Sequence, residues 1–148
     1  MKWDNVIKTI SGAVGAAVGF LYGETNGFFA AIIALMAMDY VTGILCAAAS
    51  KTLSSEIGYK GLVKKLMILI IIAVAHLVDT YIIGTGSALM TAVILFFAAN
   101  EGISILENAA KLGLPVPKKL TEVLEQLKDE SENGDNDENT DKDNKEEK

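Results

Sequence analysis

The sequence predicts an all-α integral membrane protein: three to four transmembrane helices, a C-terminal amphipathic helix and a disordered acidic tail. Residues 27–49 and 66–83 are almost wholly apolar, and 88–106 is apolar until Asn100-Glu101. Each run fits the roughly 17–25 residues that a helix rising about 1.5 Å per residue needs to cross a bilayer. None alternates apolar with polar as a membrane barrel strand would, so the backbone amides must be satisfied within each segment. A soluble fold would have to hide all of these runs in one small core.

The N-terminal region, residues 1–26, is the least decided. Val6 to Tyr22 is short, contains Lys8 and is dominated by Gly and Ala, which contribute little transfer free energy per residue. It could span, lie in the interface or move between the two, and Lys2 and Lys8 before a short apolar run also raise a cleaved signal peptide. Ser11, Gly15, Gly19 and Gly23 recur every four residues, a stripe of minimal side chains that lets another backbone approach closely. The stripe points to self-association, or is the chance product of a Gly/Ala-rich segment.

Residues 27–113 form the transmembrane core. Its linker carries Lys51, Lys60, Lys64 and Lys65, and Lys111, Lys118 and Lys119 follow the last span, whereas the short connections 23–26 and 84–87 carry no Lys. By the positive-inside rule the Lys-bearing regions, this cytoplasmic basic loop and the C-terminus, face the cytoplasm. Four spans with both ends inside fit best; three spans with the N-terminus outside come second. Asp39, Gly43 and Ala47 share a line on the second helix, placing the carboxylate on the face that packs most tightly.

A charged carboxylate at the middle of a span costs about 2.5–3.5 kcal/mol on insertion scales. No Lys is expected at membrane depth, so Asp39 is either kept neutral by desolvation or paired with His76 or a neutral donor. His76 and Asp79 lie three apart on one helix face and can pair directly, with Asp79 reaching interfacial water. His76 reads as a structural histidine or a proton-responsive switch. On the last helix Asn100, Glu101, Ser104, Glu107 and Asn108 make a polar strip that could line a water-filled path or join subunits, although a solvated helix end explains Glu107 and Asn108 as well.

Pro115-Val116-Pro117 ends that helix. Leu120, Val123, Leu124 and Leu127 then set an apolar face opposite Glu122, Glu125 and Lys128 over residues 114–128, a cytoplasmic helix read as packing on a partner. Residues 129–148 hold ten Asp or Glu against three Lys and no aliphatic or aromatic side chain, so the tail is expected to be disordered. It holds the acidity of a chain whose net charge is −6, and residues 1–128 are close to neutral. Arg is absent and no basic stripe for nucleic acid remains. The single Cys46 cannot form an intramolecular disulfide and reads as a packing residue, with an intermolecular contact as the alternative. No ligand spacing for a metal, nucleophile–base constellation or phosphate-cradling loop is visible, so neither enzyme chemistry nor a cofactor is expected.

Several blocks, in order over roughly residues 30–128, resemble the toxin-secretion/phage-lysis holin family. They are Asp39-Tyr40-Val41-Thr42-Gly43; Ser54-Ser55-Glu56-Ile57-Gly58-Tyr59-Lys60-Gly61 leading into Lys64-Lys65; Ala75-His76-Leu77-Val78-Asp79; and Asn100-Glu101-Gly102-Ile103-Ser104-Ile105-Leu106-Glu107-Asn108 with Gly113-Leu114-Pro115-Val116-Pro117. Many holins end in a basic tail, whereas this chain ends acidic. The resemblance implies a small phage or prophage protein of the bacterial inner membrane that forms homo-oligomers in the lipid bilayer. At a set time it would open lesions through which a cytoplasmic endolysin, or another cytoplasmic protein, escapes. If the polar groups Asp39, His76 and Glu101 change protonation or pairing as the membrane potential falls, the potential could set the time of opening. An ion channel or proton-coupled transporter, and a holin antagonist of the same family, are the competing expectations.

Overall fold

The computed structural model describes residues 2–23, 27–84 and 86–133, and among them there are helices and no strand. The elements are α1 (Lys2–Tyr22), α2 (Gly27–Ala49), α3 (Ser55–Val78), α4 (Ala88–Lys111) and α5 (Lys118–Asn133). Four stretches, Trp3–Tyr22, Gly27–Ala49, Ser55–Ile83 and Ala88–Lys111, are long and apolar enough to cross a membrane. The expected all-α membrane architecture is the one observed.

Two boundaries differ from the sequence reading. Lys60, Lys64 and Lys65 are not in a loop, because α3 begins at Ser55, well before its apolar run. Its start is set by Ser54, whose extended backbone and side chain accept the Ile57 amide, while Glu56 lies in the positively polarised first turn. The loop proper is residues 50–54, and it turns through Lys51 in the left-handed region (φ 56°). At the other end α5 continues through residues 129–133, which the sequence reading places in the tail. Each residue added to an established helix gains a hydrogen bond, so the helix runs beyond its last apolar turn. The disorder expected of the rest of the tail falls on residues 134–148, outside the described residues.

α2, α3 and α4 form the core, with α3 antiparallel to the other two. Each contributes one seam at three- and four-residue spacing: Ile32 and Met36 on α2, Ile68, Ile72 and Ala75 on α3, Met90 and Ile94 on α4. These side chains pack into a single apolar cluster. Past Val78 the α3 helix widens into a five-residue π-turn, Asp79–Ile83, and Gly84 at φ 71° stops it, donating to the Asp79 carbonyl at 2.8 Å.

α1 leans on this core by its C-terminal end only. Phe20 meets Tyr81, and Tyr22 packs against Phe29 with ring centroids 4.7 Å apart and planes tilted by 41°. The rest of α1, including Trp3, Ile7, Ile10 and Val14, faces outward. Beyond α4, Gly113 turns left-handed (φ 81°) and the chain doubles back, laying α5 antiparallel along α4.

Candidate functional site

Continuing each seam towards the end where α2 and α4 terminate brings the apolar cluster to a layer of charge. On α3 the buried positions 65, 68, 72, 75 and 79 follow one helical stripe, and its first member is Lys65. Lys65 Nζ donates to Asp39 Oδ2 of α2 at 2.7 Å and to Glu101 Oε2 of α4, so one ammonium ties three helices together. Lys65 is 8 % exposed and Glu101 4 %. Asp39 therefore pairs with a lysine and not with His76. The expectation that no lysine reaches Asp39 does not hold, because Lys65 is part of α3 and not of the preceding loop. The signal that finds it is the periodicity of the buried apolar residues after it, which places Lys65 inward and its neighbour Lys64 outward.

A second polar layer follows one turn on. Asn108 Nδ2 donates to Thr42 Oγ1 at 3.2 Å and to Asp39 Oδ1 at 3.4 Å, and Cys46 Sγ donates to the Asn108 carbonyl at 3.1 Å. Asn108 is thus buried and bridging, not a solvated helix end, and Cys46 has a polar contact besides packing. Gly43 lies under Asn108, while the buried Ala47 continues the α2 seam. A cavity of about 200 Å³ opens beside Asp39, lined among others by Tyr40, Lys64, Ser104 and Asn108. Tyr40 packs on the Gly58–Gly61 face of α3, its ring carbons 3.5 Å from where a Cβ on Gly61 would stand and its hydroxyl 3.4 Å from one on Gly58. Among the described residues no buried side-chain nitrogen or oxygen lacks a partner. The ionic layer is a closed network, and that is what a low-dielectric surrounding requires of buried charge.

The structure separates the other predicted residues from this cluster. Asn100 turns away from Glu101 and donates to the Phe96 carbonyl of its own helix at 3.1 Å. Asp79 is 1 % exposed at the opposite end of the bundle, so it does not reach water, and its oxygens accept the Met90 amide at 2.7 Å and the Leu89 amide at 3.2 Å. It caps the N-terminus of α4, where unpaired amides and the helix dipole favour a carboxylate. His76 abuts Gly23: a Cβ on Gly23 would fall 2.7 Å from His76 Cε1. Along the stripe on α1, nothing lies within 4 Å of where a Cβ would stand on Gly15 or Gly19, and Ser11 bonds back to the Ile7 carbonyl. Lys60 forms an exposed pair with Glu56 at 2.7 Å.

Comparison with known proteins gives this geometry a context. The sequence model of the bacteriophage holin family matches residues 16–129. An uncharacterised protein of Halalkalibacterium halodurans is 36 % identical over 133 residues, covering 86 % of this chain and 98 % of its own. An uncharacterised protein of Listeria innocua is 40 % identical, covering 87 % of this chain and 90 % of its own. A protein of Bacillus phage phi105 named a probable holin is 34 % identical, covering 86 % of this chain and 89 % of its own. No solved structure matches.

Proposed function

The chain belongs to the bacteriophage holin family, and from that premise we propose that it gathers in the cytoplasmic membrane of a bacterium and opens lesions there at a set time. It assembles with its own copies, and the lesions release a cytoplasmic endolysin or another cytoplasmic protein. On this reading four spans leave both termini in the cytoplasm, a topology supported by the positive-inside rule, with Lys51, Lys60, Lys64, Lys111, Lys118 and Lys119 on that side.

The observation that carries this reading is the Lys65–Asp39–Glu101 layer inside helices whose outer faces are apolar. Three charged groups held by one another are tolerated in a closed subunit, and the same groups are wetted when the helices rearrange. A subunit built this way has two stable arrangements, dry and hydrated, with little intermediate ground between them. The exposed α1 stripe Ser11, Gly15 and Gly19 supplies a surface on which copies can approach closely.

The test is expression in a bacterium with and without a cytosolic endolysin, following culture density and membrane potential together. Abrupt depolarisation at a reproducible time, with lysis only when endolysin is present, is the expected result. A slow, selective and reversible ion flux would make the chain a channel or transporter. An intact potential with delayed lysis by a second holin would make it an antagonist.

A further inference from the structure

The crevice between α2 and α3 changes character along its length. α4 packs closely on both of these helices, whereas α2 and α3 touch each other sparingly, so a slot between them stays open to the outside. One half of it is the cavity of about 200 Å³ beside Asp39; the other is a groove of about 260 Å³ walled by Ile33 and Ala37 of α2 and by Leu62, Leu66 and Leu69 of α3. Tyr40 and Lys65 line both halves. From these two residues the groove runs back to Ile33 on α2 and forward to Leu69 on α3, while the cavity runs on to Ile44 and back to Ile57. Because the helices are antiparallel, each half extends one way: the slot is apolar towards the body of the bundle and polar towards the end where α2 stops and α3 starts.

The carboxylate in the polar half is satisfied from within. Asp39 accepts from Lys65 through Oδ2 and from Asn108 through Oδ1. Lys64 is exposed, lines the cavity and makes no ion pair among the described residues. Glu101 shares Lys65 but is buried and is not part of this wall, which therefore presents two ammoniums against one carboxylate. Tyr40 stands where the halves meet. Its ring lies by Gly61 and its hydroxyl by Gly58, nearer the polar end, so one side chain offers apolar surface to the groove and an O–H to the cavity.

A cation and a hydroxyl at the head of an apolar slot match a phospholipid, and basic pockets between membrane helices on the cytoplasmic side are where anionic headgroups are recognised. An apolar helix from a second copy would cover the groove but bring nothing to Lys64. We propose that the α2–α3 slot binds one anionic phospholipid of the cytoplasmic leaflet, its phosphate held by Lys64 and the Tyr40 hydroxyl and one acyl chain laid along Leu66 to Leu69. The choice of leaflet rests on the topology proposed above; the site itself depends neither on that topology nor on lesion formation.

The test uses the full chain in vesicles. Trp3→Phe removes the one native tryptophan; Leu66→Trp then places a reporter in the groove, and Met38→Trp places one on an exposed position of α2 outside the slot. Each protein is reconstituted in phosphatidylcholine containing a small, equal fraction of acyl-brominated phosphatidylglycerol or acyl-brominated phosphatidylcholine, and fluorescence quenching is compared. Brominated phosphatidylglycerol should quench the Leu66→Trp reporter several-fold more strongly than brominated phosphatidylcholine, with no such preference at Met38→Trp, and Lys64→Gln should abolish the difference. Equal quenching by the two lipids at Leu66→Trp, a preference that is as strong at Met38→Trp or survives Lys64→Gln, or a groove reporter that neither lipid reaches because another copy covers it, would each overturn the proposal. Should Leu66→Trp fail to fold, thermal unfolding of the otherwise unaltered chain in micelles decides. Added phosphatidylglycerol should then raise Tm by several degrees over added phosphatidylcholine, a gain kept by Lys60→Gln and lost by Lys64→Gln; no gain, or one that the two variants keep or lose alike, overturns the site.

Discussion

The ammonium of Lys65 lies 2.7 Å from Asp39 Oδ2 while also holding Glu101 Oε2, so a single cation joins α3 to both α2 and α4. The two acids are not equivalent to the lysine they share. Removing one carboxylate leaves an ion pair, whereas removing the lysine leaves two carboxylates facing each other in a buried layer.

That asymmetry sets the first prediction. Lys65→Met should destabilise the bundle by about 3–5 kcal/mol, the usual cost of stranding buried charge. Glu101→Gln should cost markedly less. The triple variant Lys65→Met, Asp39→Asn, Glu101→Gln should recover most of the loss, because no charge is then left unpaired. Thermal unfolding in detergent micelles measures all three, and a triple variant as unstable as Lys65→Met would show that the layer acts by some means other than charge pairing.

Under the proposed function, the time of lysis gives a second test of the same layer. At matched membrane abundance Asp39→Asn should trigger at a different time from the unaltered chain, since it weakens one arm of the lock that the helices must break. A culture-density trace superimposable on that of the parent would argue against the layer as the timing element.

At the other end, Asp79→Ala should remove the cap of α4. The cost expected for a lost N-cap is about 0.5–2 kcal/mol, and Asp79→Asn should retain part of it through its remaining acceptor. Hydrogen exchange at the Leu89 and Met90 amides reads this locally, with both amides losing protection in the alanine variant and one or both retaining it in the asparagine variant.

Gly23 combines a left-handed backbone, φ 66°, with a close approach to His76. Gly23→Ala should therefore be destabilising on two counts, by about 1 kcal/mol for the backbone alone, with a further loss from the contact. His76→Ala added to it should restore only the contact part. Equal stability of the single and double variants would mean that α1 shifts off α3 and the contact is not held.

Cys46→Ser should be close to neutral, because a hydroxyl can replace the thiol as donor to the Asn108 carbonyl. Cys46→Ala removes the donor with only a small loss of volume, and should cost about 1 kcal/mol more by thermal unfolding.

The class, the three apolar runs after residue 26 and the amphipathic α5 were legible in the sequence, because those follow from local periodicity: a run of apolar residues long enough to cross a bilayer declares itself without reference to anything else in the chain, whereas the Gly/Ala-rich residues 6–22 left their own placement open. The sequence also singled out Asp39, Glu101 and Ser104 as chemistry out of place in such a run. What the tertiary structure decided was partnership. Whether Asp39 meets His76 or Lys65 depends on the rotation and register of α2 against α3, and Asp79 finds the α4 amides only because the π-turn and Gly84 fold that end back. Asn100 and Glu101 are neighbours in sequence, yet a rotation of about 100° per residue sends one to its own helix backbone and the other into the ionic layer. Spacing along one helix specifies which residues share a face; only the packing of three helices says what each face meets.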